Sequence, residues 1–169
     1  MINNNVSILD PMYITGIIDG EGSFNVSISK SSTRSLGYVI TFSFEIGLHN
    51  IDLNLLKQIQ AYFQVGGIYK HSNNMMRYKV SSFQNIIKVI IPHFLKYPLI
   101  TQKRVDFEIF KNIINIINNG PLSLEDLQKI VNLKASLNTG NSDELQKNFP
   151  NTFPAVKPLV KYKGIPDPY

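Results

Sequence analysis

Residues 13–24 read YITGIIDGEGSF, and no other stretch limits what the chain can become so tightly. Asp10 stands where a helix N-cap belongs, and Pro11 takes the first helical position, where its missing N–H costs nothing. Ile14, Ile17 and Ile18 then share one helical face. Gly16 and Gly20, one turn apart, share another, so a second backbone could approach very closely along it. The helix ends in Asp19-Gly20-Glu21-Gly22, two carboxylates set among glycines. A helix C-terminus favours cations, so this placement is unfavourable unless a cation binds between the acids. An amphipathic helix with two solvated acids is the plain alternative.

Beyond the helix the hydrophobic pattern becomes an alternation. Phe24, Val26 and Ile28 face one way, Ser23, Asn25, Ser27 and Ser29 the other, as far as Lys30. After a turn carrying Arg34, the run from Tyr38 to Leu48 sets Ile40, Phe42, Phe44, Ile46 and Leu48 against Val39, Thr41, Ser43 and Glu45. Together they predict a long antiparallel hairpin with a polar face of small residues. Asn50 is placed to cap a helix over 51–63, in which Leu55, Leu56, Ile59 and Phe63 make a buried stripe before Gly66-Gly67.

A second strand pair, over 68–72 and 76–81, should carry Lys70, Ser72, Arg77 and Lys79 on its polar face, with Tyr69, Tyr78 and Val80 opposite. A helix from Ser81 or Ser82 to Phe94 should be bent or shortened by Pro92. The next spans 101–118 and begins with Lys103 and Arg104, cations at the unfavourable end. Ser123 and Asp126 form a capping-box pattern ahead of a helix over 124–137, and a short helix follows near 142–148.

At 169 residues with 43% hydrophobic content, the chain is long enough to bury its own core. We read 1–149 as one domain. Five of the nine prolines lie in the last twenty residues, so 150–169 reads as an extended basic linker. Its Lys157, Lys161 and Lys163 suit a segment near phosphates or one that is simply solvated. No apolar run approaches a membrane span, so no membrane partner is expected. The absence of cysteine excludes disulfides and thiolate metal sites. A net charge of +5 is compatible with a polyanionic partner. Ile, Asn and Lys are abundant and Trp is absent, the usage of an AT-rich genome such as an organelle's, which points to a mitochondrial gene.

The nine residues Ile14 to Gly22, ITGIIDGEG, closely resemble the LAGLIDADG motif of homing endonucleases. The segments FEIGLHNIDLNLLKQIQAYF, HFLKYPLITQKRVDFEIF and LKASLNTGNSDELQKNFP are similar to stretches of organellar members, and the likeness covers essentially the whole chain. The resemblance implies an α+β fold: an αββαββα core, a saddle-shaped antiparallel sheet and additional C-terminal helices. It implies a metal-dependent, site-specific endonuclease that reads double-stranded DNA through the major groove. Glu21 would be the metal-binding and catalytic acid, with Gly20 beside it, and Mg²⁺ or Mn²⁺ the cofactor. Lys103 matches the family's active-site lysine.

The polar side chains expected at DNA are Ser23, Asn25, Ser27, Ser29, Lys30, Arg34, Thr41, Ser43, Glu45, Lys70, Ser72, Arg77 and Lys79. Gly16, Ile17, Asp19 and Gly20 would meet the matching helix of a second half, with Asp19 in a structural role. Where the family often has a polar residue near the end of the second strand, this chain has Leu48, with Glu45 and His49 nearby.

One acid cannot cut two strands. The second half would be another copy, in a homodimer, or a second motif beyond a linker, since Asp167-Pro168-Tyr169 echoes the approach Asp10-Pro11-Met12-Tyr13. FPAVKPLVKYKGIPDPY also resembles the linker of two-motif relatives, so this chain is read as the N-terminal half of such an enzyme. Two other roles fit the same fold: an intron RNA maturase, and a DNA-binding regulator without catalysis.

Overall fold

The computed structural model describes residues 9–138 and 140–160. Lys161, Lys163 and the Asp167-Pro168-Tyr169 echo lie outside them. The chain runs α1 (Pro11–Glu21), β1 (Gly22–Lys30), β2 (Tyr38–His49), α2 (Leu53–Phe63), β3 (Gly67–Lys70) and β4 (Met75–Val80). It continues with α3 (Phe83–Asn85), a π-helical segment (Ile86–Ile90), α4 (Ile91–Lys96), α5 (Lys103–Asn118), α6 (Leu124–Ala135) and α7 (Asp143–Asn148). This is the α+β architecture read from the sequence.

The sheet is antiparallel with strand order β1-β2-β4-β3. Pairing of Phe24 with Phe44 and of Phe44 with Val80 sets its register. Phe24, Val26, Ile28, Phe44, Ile46, Tyr78 and Val80 are therefore turned to one face, where the helices cover them. Phe24 is the hub: its ring lies 5.4–5.5 Å from those of Phe44, Phe94, Phe107 and Phe110. Burial of each such ring supplies much of the stability, with tilted contacts to Phe44, Phe107 and Phe110 and an edge-on one to Phe94. The other face stays polar, with Ser27, Ser29 and Thr41 exposed.

Asp10 caps α1 as expected, its carboxylate accepting from the N–H groups of Met12 and Tyr13 at 2.8 and 3.3 Å. Gly22 ends it, and no larger residue fits there. A Cβ would lie 2.5 Å from Ile18 Cγ2 and 2.8 Å from the Ile18 carbonyl oxygen. The capping box at α6 forms with Asp126 in the acid's place.

The cap expected from Asn50 is supplied instead by His49, whose Nδ1 accepts from Ile51 N–H at 3.3 Å ahead of a single 3₁₀ turn. Pro92 does not stop its helix at Phe94. The missing N–H is absorbed by the π-helical turn immediately before, and the helix resumes through Lys96 with Pro92 in the first turn of α4.

The register also corrects one face. Tyr69 stands opposite Arg77 and Gly67 opposite Lys79, while Lys70 pairs with Met76. Directly paired residues share a face, so Tyr69 joins Arg77 and Lys79, and Lys70 points to the other side. A four-residue strand reading GIYK has too little alternation to set its own phase; the turn after it does.

Residues 150–160 have no regular structure, yet they lie against the core rather than free of it. Ser136 donates to the Ala155 carbonyl at 2.7 Å and Phe153 N–H to Asn132 Oδ1 at 3.2 Å. Gln102 bonds both the Pro158 carbonyl and Val160 N–H, and Lys157 is ion-paired with Asp106 rather than held out for phosphates.

A buried histidine ties three helices together. Thr15 Oγ1 gives its one proton to the Tyr97 carbonyl at 3.1 Å, so the 3.1 Å contact with His93 Nε2 must be donated by the imidazole. His93 Nδ1 then accepts from the Tyr62 hydroxyl at 3.1 Å. The ring is neutral, satisfied on both sides and only 7% exposed. Burial pulls its pKa from 6.5 down to about 4.

The unfolded chain therefore binds more protons than the folded one between those values. Stability should be full above pH 6.5 and fall as the pH drops through 4, by at most about 3 kcal/mol from this group. Urea unfolding across that range tests it: His93→Gln should flatten the slope, and an unchanged slope contradicts the assignment. Separately, Gly22→Ala should lower unfolding free energy by roughly 1–3 kcal/mol through overpacking on Ile18.

Candidate functional site

The C-terminus of α1 meets the N-terminus of α5, and each helix supplies the charge that the other end needs. Asp19 does not sit free at its own unfavourable helix end. Its Oδ2 accepts from Ile100 N–H at 3.0 Å, and its Oδ1 from Thr101 N–H at 3.2 Å and Thr101 Oγ1 at 2.6 Å. The carboxylate thus serves the start of α5, where Gln102 makes no side-chain cap.

In return Lys103, from the first turn of α5, reaches back and donates from Nζ to the Gly20 carbonyl at 3.1 Å. Burial lowers the Lys103 pKa, while the charges of Asp19, Glu21 and Asp106 oppose that shift. A cation at the end of α1 and an anion at the start of α5 both agree with the helix dipoles.

That exchange consumes Asp19 and leaves Glu21. Glu21 is exposed and makes no hydrogen bond or ion pair among the described residues. It is close enough to Lys103 to act on its charge. Glu21 and the Gly20 carbonyl, whose second lone pair is not taken by Lys103, are hard oxygen donors of the kind that Mg²⁺ and Mn²⁺ prefer.

Among the described residues no three His, Cys, Asp or Glu side chains cluster into a cage. A cation here would complete its shell with water and phosphate oxygens, which is how Mg²⁺ is commonly held. The donor set fits such an ion.

Beside this junction α1 presents an uncovered stripe. Tyr13 is 54% exposed, Ile17 half-buried, and a Cβ at Gly16 or Gly20 would meet nothing within 4 Å. These residues recur at helical spacing, so one face is open to close backbone approach. Asp19 is turned away from it into the α5 loop.

The thirteen polar residues expected at a nucleic acid divide. Ser23, Asn25, Ser27 and Ser29 pair with Glu45, Ser43, Thr41 and Val39, so these side chains do share a face with Arg77 and Lys79. Asn25 is partly engaged, donating to Ser23 and accepting from Asn138.

Ser43 and Glu45 are buried, at 5% and 8% exposure, rather than solvent-facing. Burial would raise the Glu45 carboxyl, but Ser43, Lys79 and Arg77 together hold it below the ordinary value. Lys30 pairs with Tyr38, hence on the core-side face, and its ammonium meets Glu144 at 3.1 Å. Lys70 shares that side. Ser72 and Arg34 lie in turns outside the strands.

Leu48 packs against the core, so nothing polar stands at its position, and His49 is spent on the cap. Sequence reasoning missed Tyr69, His71 and Thr101. Only Thr101 carried a signal, as a hydroxyl residue two positions ahead of the lysine; Tyr69 and His71 carried none.

The family model described as "LAGLIDADG endonuclease" matches residues 14–114, which include most of α1, the whole sheet and most of α5. The curated protein "Probable intron-encoded endonuclease 3" of Neurospora crassa is 38% identical over 98% of this chain, which covers 32% of that protein. The solved structure of I-SmaMI bound to an uncleaved DNA target in the presence of calcium ions is 38% identical, with a TM-score of 0.88, over 95% of this chain and 55% of that one. I-CpaMI bound to uncleaved DNA is 40% identical, with a TM-score of 0.86, over 95% of this chain and 55% of that one. The chain thus spans about a third of that curated relative and about half of those solved chains. With its motif helix, sheet and α1–α5 junction in this arrangement, the chain belongs to the LAGLIDADG endonuclease family.

Proposed function

We propose that this chain is one half of a metal-dependent, site-specific DNA endonuclease encoded in a mitochondrial intron. The observation that carries the reading is the α1–α5 junction, where an unengaged carboxylate and an anchored ammonium sit at the end of an uncovered helix stripe. The polar sheet face would lie in the major groove, with Ser27, Ser29 and Thr41 free to meet base edges. Arg77 and Lys79 supply positive charge on the same face. The calcium ions and DNA named for I-SmaMI support the choice of polyanion and cation class.

Glu21, with the Gly20 carbonyl, would hold the cation against a phosphate oxygen. When bound, Mg²⁺ or Mn²⁺ supplies charge neutralisation and a more acidic water. Lys103 is held by its bond to Gly20, and from there its charge would stabilise the developing phosphorane. Asp19 would act on that ammonium only indirectly, by holding the chain at Ile100 and Thr101 from which α5 and Lys103 start.

A second motif helix would cover Tyr13, Gly16, Ile17 and Gly20, bringing a second acid to the other strand. That partner is a second copy of the chain or a further motif-bearing half.

Selection of cut duplexes from a randomised library, with the partner half present, tests this reading. Wild type should cut in Mg²⁺ and not in EDTA. Glu21→Gln should abolish cutting while leaving DNA affinity largely intact, and Lys103→Ala should slow cutting by about 100-fold or more. Cutting at the normal rate by Glu21→Gln contradicts the site assignment.

A further inference from the structure

Glu45 is the one acid among the polar-face residues of β1 and β2, and its burial there is unexpected for a surface that would meet phosphates. Its Oε1 accepts from Ser43 Oγ at 2.7 Å and pairs with Lys79 Nζ at 3.0 Å, while Oε2 pairs with Arg77 Nη1 at 3.0 Å. Arg77 is held from a second side, donating from Nη2 to His71 Nε2 at 2.7 Å. Two of the five guanidinium N–H donors are thus used and three remain. The Arg77 side chain is 32% exposed, and Tyr69, directly opposite on the edge strand, is 59% exposed.

A patch built only for phosphate would gain from free cations, and a carboxylate in its midst would reduce the affinity. What the carboxylate does supply is direction. A free arginine loses rotamer entropy when it binds, whereas one fixed between Glu45 and His71 has already lost it. A guanidinium with a fixed edge matches one base pattern best, the paired O6 and N7 acceptors of guanine in the major groove.

We propose that Glu45 is a positioning residue that fixes Arg77, with Lys79 beside it, as a reader of one guanine in the DNA target. This rests on the DNA reading given above. Ser43 takes part through the carboxylate and His71 through the guanidinium.

The test is a selection of bound duplexes from a randomised library, with the partner half present, by the wild-type chain and by Glu45→Gln, Arg77→Lys and Ser43→Ala. Wild type should prefer guanine at one position by roughly 5- to 100-fold. Glu45→Gln and Arg77→Lys should lose most of that preference and keep those at other positions. Ser43→Ala, a milder change less prone to misfolding, should lose part of it. Arg77→Lys should leave the salt dependence unaltered, since its charge is kept.

A guanine preference undiminished in Glu45→Gln or Ser43→Ala overturns the proposal and leaves the DNA reading standing. So does a uniform loss of affinity across all sequences, which would mark Arg77 as a phosphate contact. Retention of no duplex by the wild-type chain together with its partner half overturns both.

Discussion

The exchange of charges between α1 and α5 is the interaction on which the rest of the site depends. A carboxylate at a helix C-terminus and a lysine at a helix N-terminus are each unfavourable alone. Placed against one another they reverse sign: Asp19 serves the first N–H groups ahead of α5, and Lys103 serves a terminal carbonyl of α1. These contacts join residues 81 to 83 positions apart in sequence, so they also fix how the two helices meet. Glu21 is left as the carboxylate with nothing to bind among the described residues, at the open end of the junction.

The same division between satisfied and free groups runs across the sheet. One face is closed by aromatic packing around Phe24, with the neutral His93 network locking α1 to α2 and α4 at the rim. The other face holds a fixed ionic cluster at Glu45 and a looser row of Ser27, Ser29 and Thr41. Rigid charge and small adaptable hydroxyls serve different ends in recognition, the first setting direction and the second tolerating geometry. Stability is carried by the apolar face, which leaves the polar one free to vary.

Much of this was legible in the sequence because periodicity states it directly. The alternation over 22–30 and 38–49 is long enough to fix both strands and their faces, and the Asp10-Pro11 and Ser123-Asp126 signals mark helix starts. Glu21 and Lys103 were named through resemblance to a family rather than from spacing, since nothing local says that residues so far apart meet. The failures share a cause. Lys70 and Tyr69 were placed on the wrong faces because a four-residue strand takes its phase from the turn. Pairing of Glu45 with Arg77 and Lys79, of Lys30 with Glu144 and of Lys157 with Asp106 is tertiary and leaves no local trace.

The central claim, that Asp19 holds the start of α5, is tested most directly by amide hydrogen exchange at Ile100 and Thr101. Ile100 is 60% exposed, so burial cannot protect its amide, whereas the bond to Asp19 can. The account predicts slow exchange at both amides in the wild-type chain. In Asp19→Ala the exchange should speed up by about tenfold or more relative to core amides of α2. Equal rates in the two proteins would contradict the account.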